Sequence, residues 1–212
     1  NETRRLQQEI YEMQKGEEVY LTGLELLMVM LAGVSLPRPE YNKMMKDLIA
    51  ALKANGPRVK PKVRLLYTGG HADNPEFFDL LQQNDAHVVS DNTGFGTRAA
   101  DVLIREDGEP LEAIIDYYFE EKPAATRQMG TQVERMERLL DLVKQYKADG
   151  VVASRLYMCD LWAFEHFLMR KRLHENNVPF LELEVDYTPE GQGQIKTRVQ
   201  AFVESLADRQ TA

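Results

Sequence analysis

The one thiol in this sequence, Cys159, stands beside Asp160 at the expected start of a helix. At such a position the helix dipole and free backbone N–H groups favour an anion, so a thiolate there makes a good ligand or nucleophile. The other reading is a buried thiol that packs as a small apolar group. A catalytic thiol also wants a base, and His166 lies about two helical turns further on. That spacing is not diagnostic, and His166 reads better as a helix-surface or packing residue.

Other residues suit the binding of an anion. Thr68-Gly69-Gly70 closes an apolar run and resembles a phosphate-cradling turn, in which glycine lets backbone N–H groups approach the ligand. It is equally a plain tight turn, and no dinucleotide fingerprint follows it. Gly94-Phe95-Gly96-Thr97-Arg98 combines a glycine-rich loop with a cation suited to phosphate or carboxylate, or is simply a surface loop. Gln192, Gln194, Thr197 and Arg198 lead into the last helical stretch, where Thr197 is a natural N-cap. Glu182, Glu184 and Asp186 alternate along one face of an expected strand, which requires that face to be wet or paired, as at a sheet edge. Zincin, serine-hydrolase, Walker and paired-cysteine motifs are missing from the sequence.

The elements that must position these groups follow from periodicity. Residues 1–60 carry only helical signals: Leu6, Ile10, Tyr11 and Met13, then Thr22 with Glu25 as a capping box, then a stripe from Tyr41 to Leu52 stopped at Gly56-Pro57. After Pro61 short apolar runs alternate with helical patterns. Strands are expected at Val63–Tyr67, Ala86–Ser90, Gly150–Ser154 and Phe180–Val185. Helices are expected around Phe77–Leu81, 110–122, 131–147, Asp160–Asn176 and Thr197–Leu206. This order predicts an α/β fold: a flavodoxin-like parallel sheet of about four strands with helices on both faces, preceded by an all-helical segment. The single boundary falls near residue 60, dividing a helical segment (1–60) from an α/β domain (61–212). Ligands in such sheets sit beyond the carboxyl ends of the strands, at Thr68–His71, Asp91–Arg98, Ser154–Asp160 and Asp186–Arg198.

Composition narrows the classes further. With 26 basic against 34 acidic residues the net charge is −8, and the cations (Arg4, Arg5, Lys60, Lys62, Arg170 to Arg172) are scattered and read as solvated helix faces. Nucleic acid is therefore not an expected partner. The longest apolar stretch, Leu26–Val34, is too short to span a membrane. A lone cysteine allows no internal disulfide and suits a reducing cytoplasm. It also cannot hold a metal cluster by itself. The start at Asn1, inside a charged helix, suggests a piece of a longer protein.

Several segments together resemble the benzoyl-CoA reductase/2-hydroxyacyl-CoA dehydratase family. They are Asp149-Gly150-Val151-Val152, Tyr157-Met158-Cys159-Asp160-Leu161-Trp162, Val178 to Glu184, and Gln192 to Glu204. Asn1 to Arg5 and Leu21-Thr22-Gly23 resemble the segment that links the two domains of such subunits. Arg127 to Thr131 with Glu134-Arg135 look more like the reductase branch.

The resemblance implies the C-terminal portion of a subunit with two α/β domains and a 4Fe–4S cluster between them. Cys159 would be one of three cysteine ligands, the other two belonging to an N-terminal domain. It also implies a homologous second subunit, a separate ATP-dependent iron–sulfur activator and an acyl-CoA substrate, reduced by one electron to a ketyl-type radical. Benzoyl-CoA reductase-type chemistry is the leading expectation. The alternatives are an (R)-2-hydroxyacyl-CoA dehydratase subunit or a non-catalytic α/β binding domain of the same family. Thr68, Gly69, Gly70, Arg98, Gln194 and Arg198 are the expected substrate or CoA contacts. An apolar face open to association is expected near Cys159.

Overall fold

In the computed structural model the four apolar runs form one parallel sheet: β1 (Val63–Gly69), β2 (Ala86–Asp91), β3 (Gly150–Leu156) and β4 (Phe180–Val185), in the order β2-β1-β3-β4. The structure describes residues 1–70, 73–82, 85–186 and 192–211. His71 and residues 187–191, part of two expected ligand loops, lie outside the described residues. Every residue of β1 is buried, as a central strand covered on both faces demands.

Alternation sends the two sides of the sheet into different cores. Val63, Leu65 and Tyr67 of β1 pack with Val88, Val152 and Leu183 under α4 (Pro75–Leu81) and α9 (Gln192–Thr211). Leu66, Val89, Val151 and Ala153 face α1 (Glu2–Glu12), α3 (Arg38–Asn55), α7 (Gln132–Gln145) and α8 (Asp160–Glu175). α2 (Gly23–Ser35) touches both, giving Leu26 and Met30 to one core and Leu27 to the other. Val19 and Val59, on either side of α2 and α3, form an antiparallel bridge beside the sheet.

Local rules account for many of the ends. Thr22 and Glu25 close a reciprocal capping box at the start of α2. Gly56, at φ +74°, ends α3 in a conformation that glycine adopts without strain. β4 runs along an outer edge of the sheet, and its carboxylates are paired: Glu184 meets Arg155 at 2.5 Å, while Glu182 meets Arg170.

Other ends depart from expectation. The stretch expected as one helix over 110–122 divides into α6 (Pro110–Asp116) and a π-helical turn, Tyr117–Glu121. Thr97–Ala100, expected as loop, forms the short α5. α9 starts at Gln192, so Thr197 lies inside it and its hydroxyl donates back to the Gly193 carbonyl at 3.0 Å instead of capping. Among the described residues no helix is long and apolar enough to cross a membrane.

Candidate functional site around the β3–α8 turn

β3 ends in a tight turn that delivers Cys159 to the N-cap of α8. The Cys159 amide donates to the Leu156 carbonyl at 3.1 Å, and its own carbonyl accepts from Ala163 at 3.0 Å. Between them Met158 adopts φ +62°, a left-handed conformation that costs a side chain about 1 kcal/mol or more. The turn thus carries a strained residue beside the one thiol. Cys159 is half-buried against the core and its side chain makes no capping bond.

The glycine turn after β1 lies alongside. Gly69 pairs with Ser154 of β3, and the Gly70 amide donates to the Ser154 carbonyl at 3.3 Å. A Cβ on Gly70 would stand 2.5 Å from Nε1 of Trp162, so only glycine lets the indole of α8 close over this turn. Thr68 is wholly buried and its hydroxyl has no hydrogen-bond partner among the described residues. Its side chain supports the turn from within. The fold therefore gathers Cys159, Gly69 and Gly70 at the ends of the two central strands.

The other expected contacts lie further out. Arg98 follows β2 on α5, half-buried, with burial pulling its pKa down against the opposing pull of Asp91. Gln194 and Arg198 lie on the exposed side of α9 beyond β4, where Arg198 donates to the Glu182 carbonyl at 2.6 Å. The β2 and β4 axes are three strand spacings apart, roughly 14 Å. These residues border the site from opposite edges of the sheet.

His166 is wholly buried, edge-on to Trp162 and Phe180. Burial lowers its pKa, opposed by Glu182, whose Oε1 is 3.4 Å from Nδ1. It is a packing residue. At the end of β2, Asp91 accepts from Thr93 through both backbone (2.8 Å) and hydroxyl (2.7 Å), and from the phenol of Tyr11. Burial and Asp91 together push the Tyr11 phenol well above its usual range. Gly96 backs this carboxylate so closely that a Cβ would lie 2.0 Å from Oδ1.

The Arg127–Arg135 segment has a structural role that its sequence did not announce. Arg135 makes a two-pronged pair with Glu165, both bonds 2.8 Å, and its third nitrogen reaches the Gln128 carbonyl (3.0 Å) and Thr131 hydroxyl (2.6 Å). Arg135 of this segment thus clamps α7 to α8.

Beside Cys159 the surface is apolar. Tyr157, Met158, Leu161, Phe164 and Phe167 are all exposed, with Met158 and Phe164 each at 75%. The last three recur along one side of α8, while Trp162, Met169 and Leu173 bury the other. An amphipathic helix would carry charge there. Among the described residues no three His, Cys, Asp or Glu side chains gather as a metal site.

The model of the 2-hydroxyglutaryl-CoA dehydratase, D-component family matches residues 1–206. YjiM of Escherichia coli (strain K12), which carries a dehydratase-subunit name, is 29% identical over 71% of this chain and 39% of its own length. The (R)-phenyllactyl-CoA dehydratase beta subunit of Clostridium sporogenes is 24% identical over 84% of the chain and 47% of its own length. A benzoyl-CoA reductase subunit of Thauera aromatica is 22% identical over 97% of the chain and 54% of its own length. The chain spans about half the length of these relatives. With a match over nearly all its residues, the chain belongs to the 2-hydroxyglutaryl-CoA dehydratase D-component family, among relatives named as subunits of acyl-CoA dehydratases and of benzoyl-CoA reductase.

Proposed function

We propose that this chain is the C-terminal part of a 4Fe–4S subunit of an ATP-dependent enzyme that acts on CoA thioesters. Residues 61–212 form its C-terminal α/β domain, and residues 1–60 are the helical segment that joins it to the rest of the subunit. The observation that carries the reading is the β3–α8 turn, with a half-buried thiol at a helix N-cap, a strained residue before it and an exposed apolar strip beside it.

One thiolate fits one corner of a cluster. The sequence holds no second cysteine, so the remaining thiolates come from outside this chain. When bound, the cluster supplies one-electron transfer at low potential. The turn fixes the direction of Cys159, and Trp162 and the apolar strip keep water from the site. The strip is also the surface on which the rest of the subunit, or a homologous second subunit, would seat. Gly69 and Gly70 are the expected contacts best placed for a substrate beside Cys159; Thr68, Arg98, Gln194 and Arg198 would act from beneath or from the flanks. The reading also carries a separate ATP-hydrolysing activator and a reducing cytoplasm.

Two reactions share this scaffold. The reductase expectation rests on Arg127 to Thr131 with Glu134-Arg135, of which Gln128, Thr131 and Arg135 belong to the α7–α8 clamp. The second reading, a 2-hydroxyacyl-CoA dehydratase subunit, is supported by the dehydratase names of several relatives.

The test is anaerobic purification of the full-length protein and assay of iron and sulfide beside a Cys159→Ser variant. About four irons in the parent and a clear loss in the variant are expected. Loss of the 2-hydroxyl group against partial ring reduction, assayed on acyl-CoA substrates, then separates the two reactions. No iron in either protein would leave a non-catalytic α/β binding domain in which Cys159 only packs.

A further inference from the structure

A second candidate site lies away from Cys159. A cavity of about 310 Å³ is bounded by Asn1, Arg4 and Gln7 of the first helical segment, Arg38 at the start of α3, Phe95, and the π-helical turn with Lys122 behind it. That volume is in the range of small-molecule sites. Three of its lining residues are cations and none is a carboxylate, in a chain with eight more acidic than basic groups.

Among the described residues these cations form no ion pairs. The guanidinium of Arg4 lies over the ring of Tyr117 at 4.6 Å, and the ammonium of Lys122 lies over Tyr118 at 5.0 Å. Neither is within salt-bridge distance of a carboxylate among the described residues, and Nε of Arg4 is buried with no hydrogen-bond partner there. Arg4, expected on a solvated helix face, is therefore half-enclosed. Arg98 adds a fourth positive charge close by, partly offset by Asp91, and its buried Nε has no hydrogen-bond partner among the described residues. Burial lowers the pKa of Lys122, and the charges of Arg98 and Arg4 lower it further.

The local backbone produces this arrangement. The Lys122 amide donates to the Tyr117 carbonyl at 2.7 Å, closing the wider i to i+5 ring of a π turn. Such turns are rare and recur at functional sites. This one sets two tyrosines edge-to-face, 5.1 Å between ring centres, beside a lysine. Packing Arg4, Arg38 and Lys122 around one cavity that no carboxylate lines among the described residues is unfavourable unless a ligand supplies the counter-charge.

We infer that this pocket binds a phosphate or pyrophosphate group carried next to a flat ring, with Arg4, Lys122 and Arg38 meeting the charge and Phe95 and Tyr118 meeting the ring. The chemistry has two sources, the nucleotide end of a CoA thioester and a free nucleotide. Only the first rests on the function proposed above; the pocket itself owes nothing to the cluster.

The test is calorimetric titration of the full-length protein with inorganic pyrophosphate, ATP and CoA in turn, repeated on Arg4→Gln, Lys122→Gln and Arg5→Gln. Arg5 is an exposed neighbour paired with Glu106, so its variant should bind as the wild type does. Loss of one charge-assisted contact should weaken binding about tenfold or more for Arg4→Gln and Lys122→Gln. Tight CoA with weak ATP identifies the thioester's nucleotide end; the reverse identifies a free nucleotide. Cys159→Ser should bind unchanged, which separates this site from the cluster reading. No binding of any probe, or binding that Lys122→Gln leaves intact, overturns the inference. Lys122 is only half-buried, so its variant should fold even if Arg4→Gln does not.

Discussion

Glu165→Leu tests how the α7–α8 clamp is held. The side chains of Arg135 and Glu165 are 9% and 4% exposed, and two parallel bonds of 2.8 Å join them. Removing the carboxylate leaves a guanidinium in the interior with two donors unmet, while its third nitrogen stays tied to Gln128 and Thr131. Breaking a buried pair in this way costs about 3–5 kcal/mol, because an uncompensated charge remains. For a domain of this size that is a fall in Tm of roughly 6–20 °C. Arg135→Met should cost about as much by stranding the carboxylate. The double variant, with both charges gone, should lie within about 2 kcal/mol of wild type, since apolar packing replaces such pairs well. Urea unfolding followed by circular dichroism measures all three. A loss under about 1 kcal/mol for Glu165→Leu, or single losses that simply add in the double variant, would refute the reasoning.

Gly96→Ala drives a methyl group into the Asp91 carboxylate at 2.0 Å and should cost about 2 kcal/mol or more in the same assay; an unaltered midpoint would contradict the packing. Acid should weaken the fold before the carboxylates titrate. His166 and His87 both have pKa values lowered by burial from 6.5, opposed by Glu182 and by Asp85 respectively. Their unfolded forms therefore take up protons first, so the contribution is complete above about pH 6.5 and is lost progressively as the pH falls from there through the lower pKa values of the folded state. Chemical unfolding at pH 7.5 and pH 5.5 should reveal the loss, and His166→Phe should shrink it; an equal loss in the variant would put the effect elsewhere.

Much of the fold was legible because its signals are local. Thr22 and Glu25 sit three residues apart and cap one helix; Gly56-Pro57 stops another; the apolar runs at Val63, Ala86, Gly150 and Phe180 are strands where periodicity put them. Cys159 at the head of α8 was visible for the same reason, since strand, turn and helix follow one another directly. The ends that moved did so under weak signals. The π turn at Tyr117 keeps helical spacing for most of its length, so periodicity cannot tell it from α-helix.

The pairs formed across distance were not legible. Arg135 with Glu165, Asp91 with Tyr11, and Arg4 over Tyr117 join residues 30, 80 and more than 100 positions apart. In the sequence Arg4 is one more basic residue in a charged helix, and Lys122 one more at a helix end. Spacing rules reach about one helical turn or one strand neighbour, and they fix which face of an element is apolar. Which face meets which is decided by the order of the strands and the layer each helix takes. The strand, turn and helix around Cys159 were therefore written locally, whereas the buried clamp and the cationic pocket exist only because the sheet brings α7 to α8 and the first helix to the π turn.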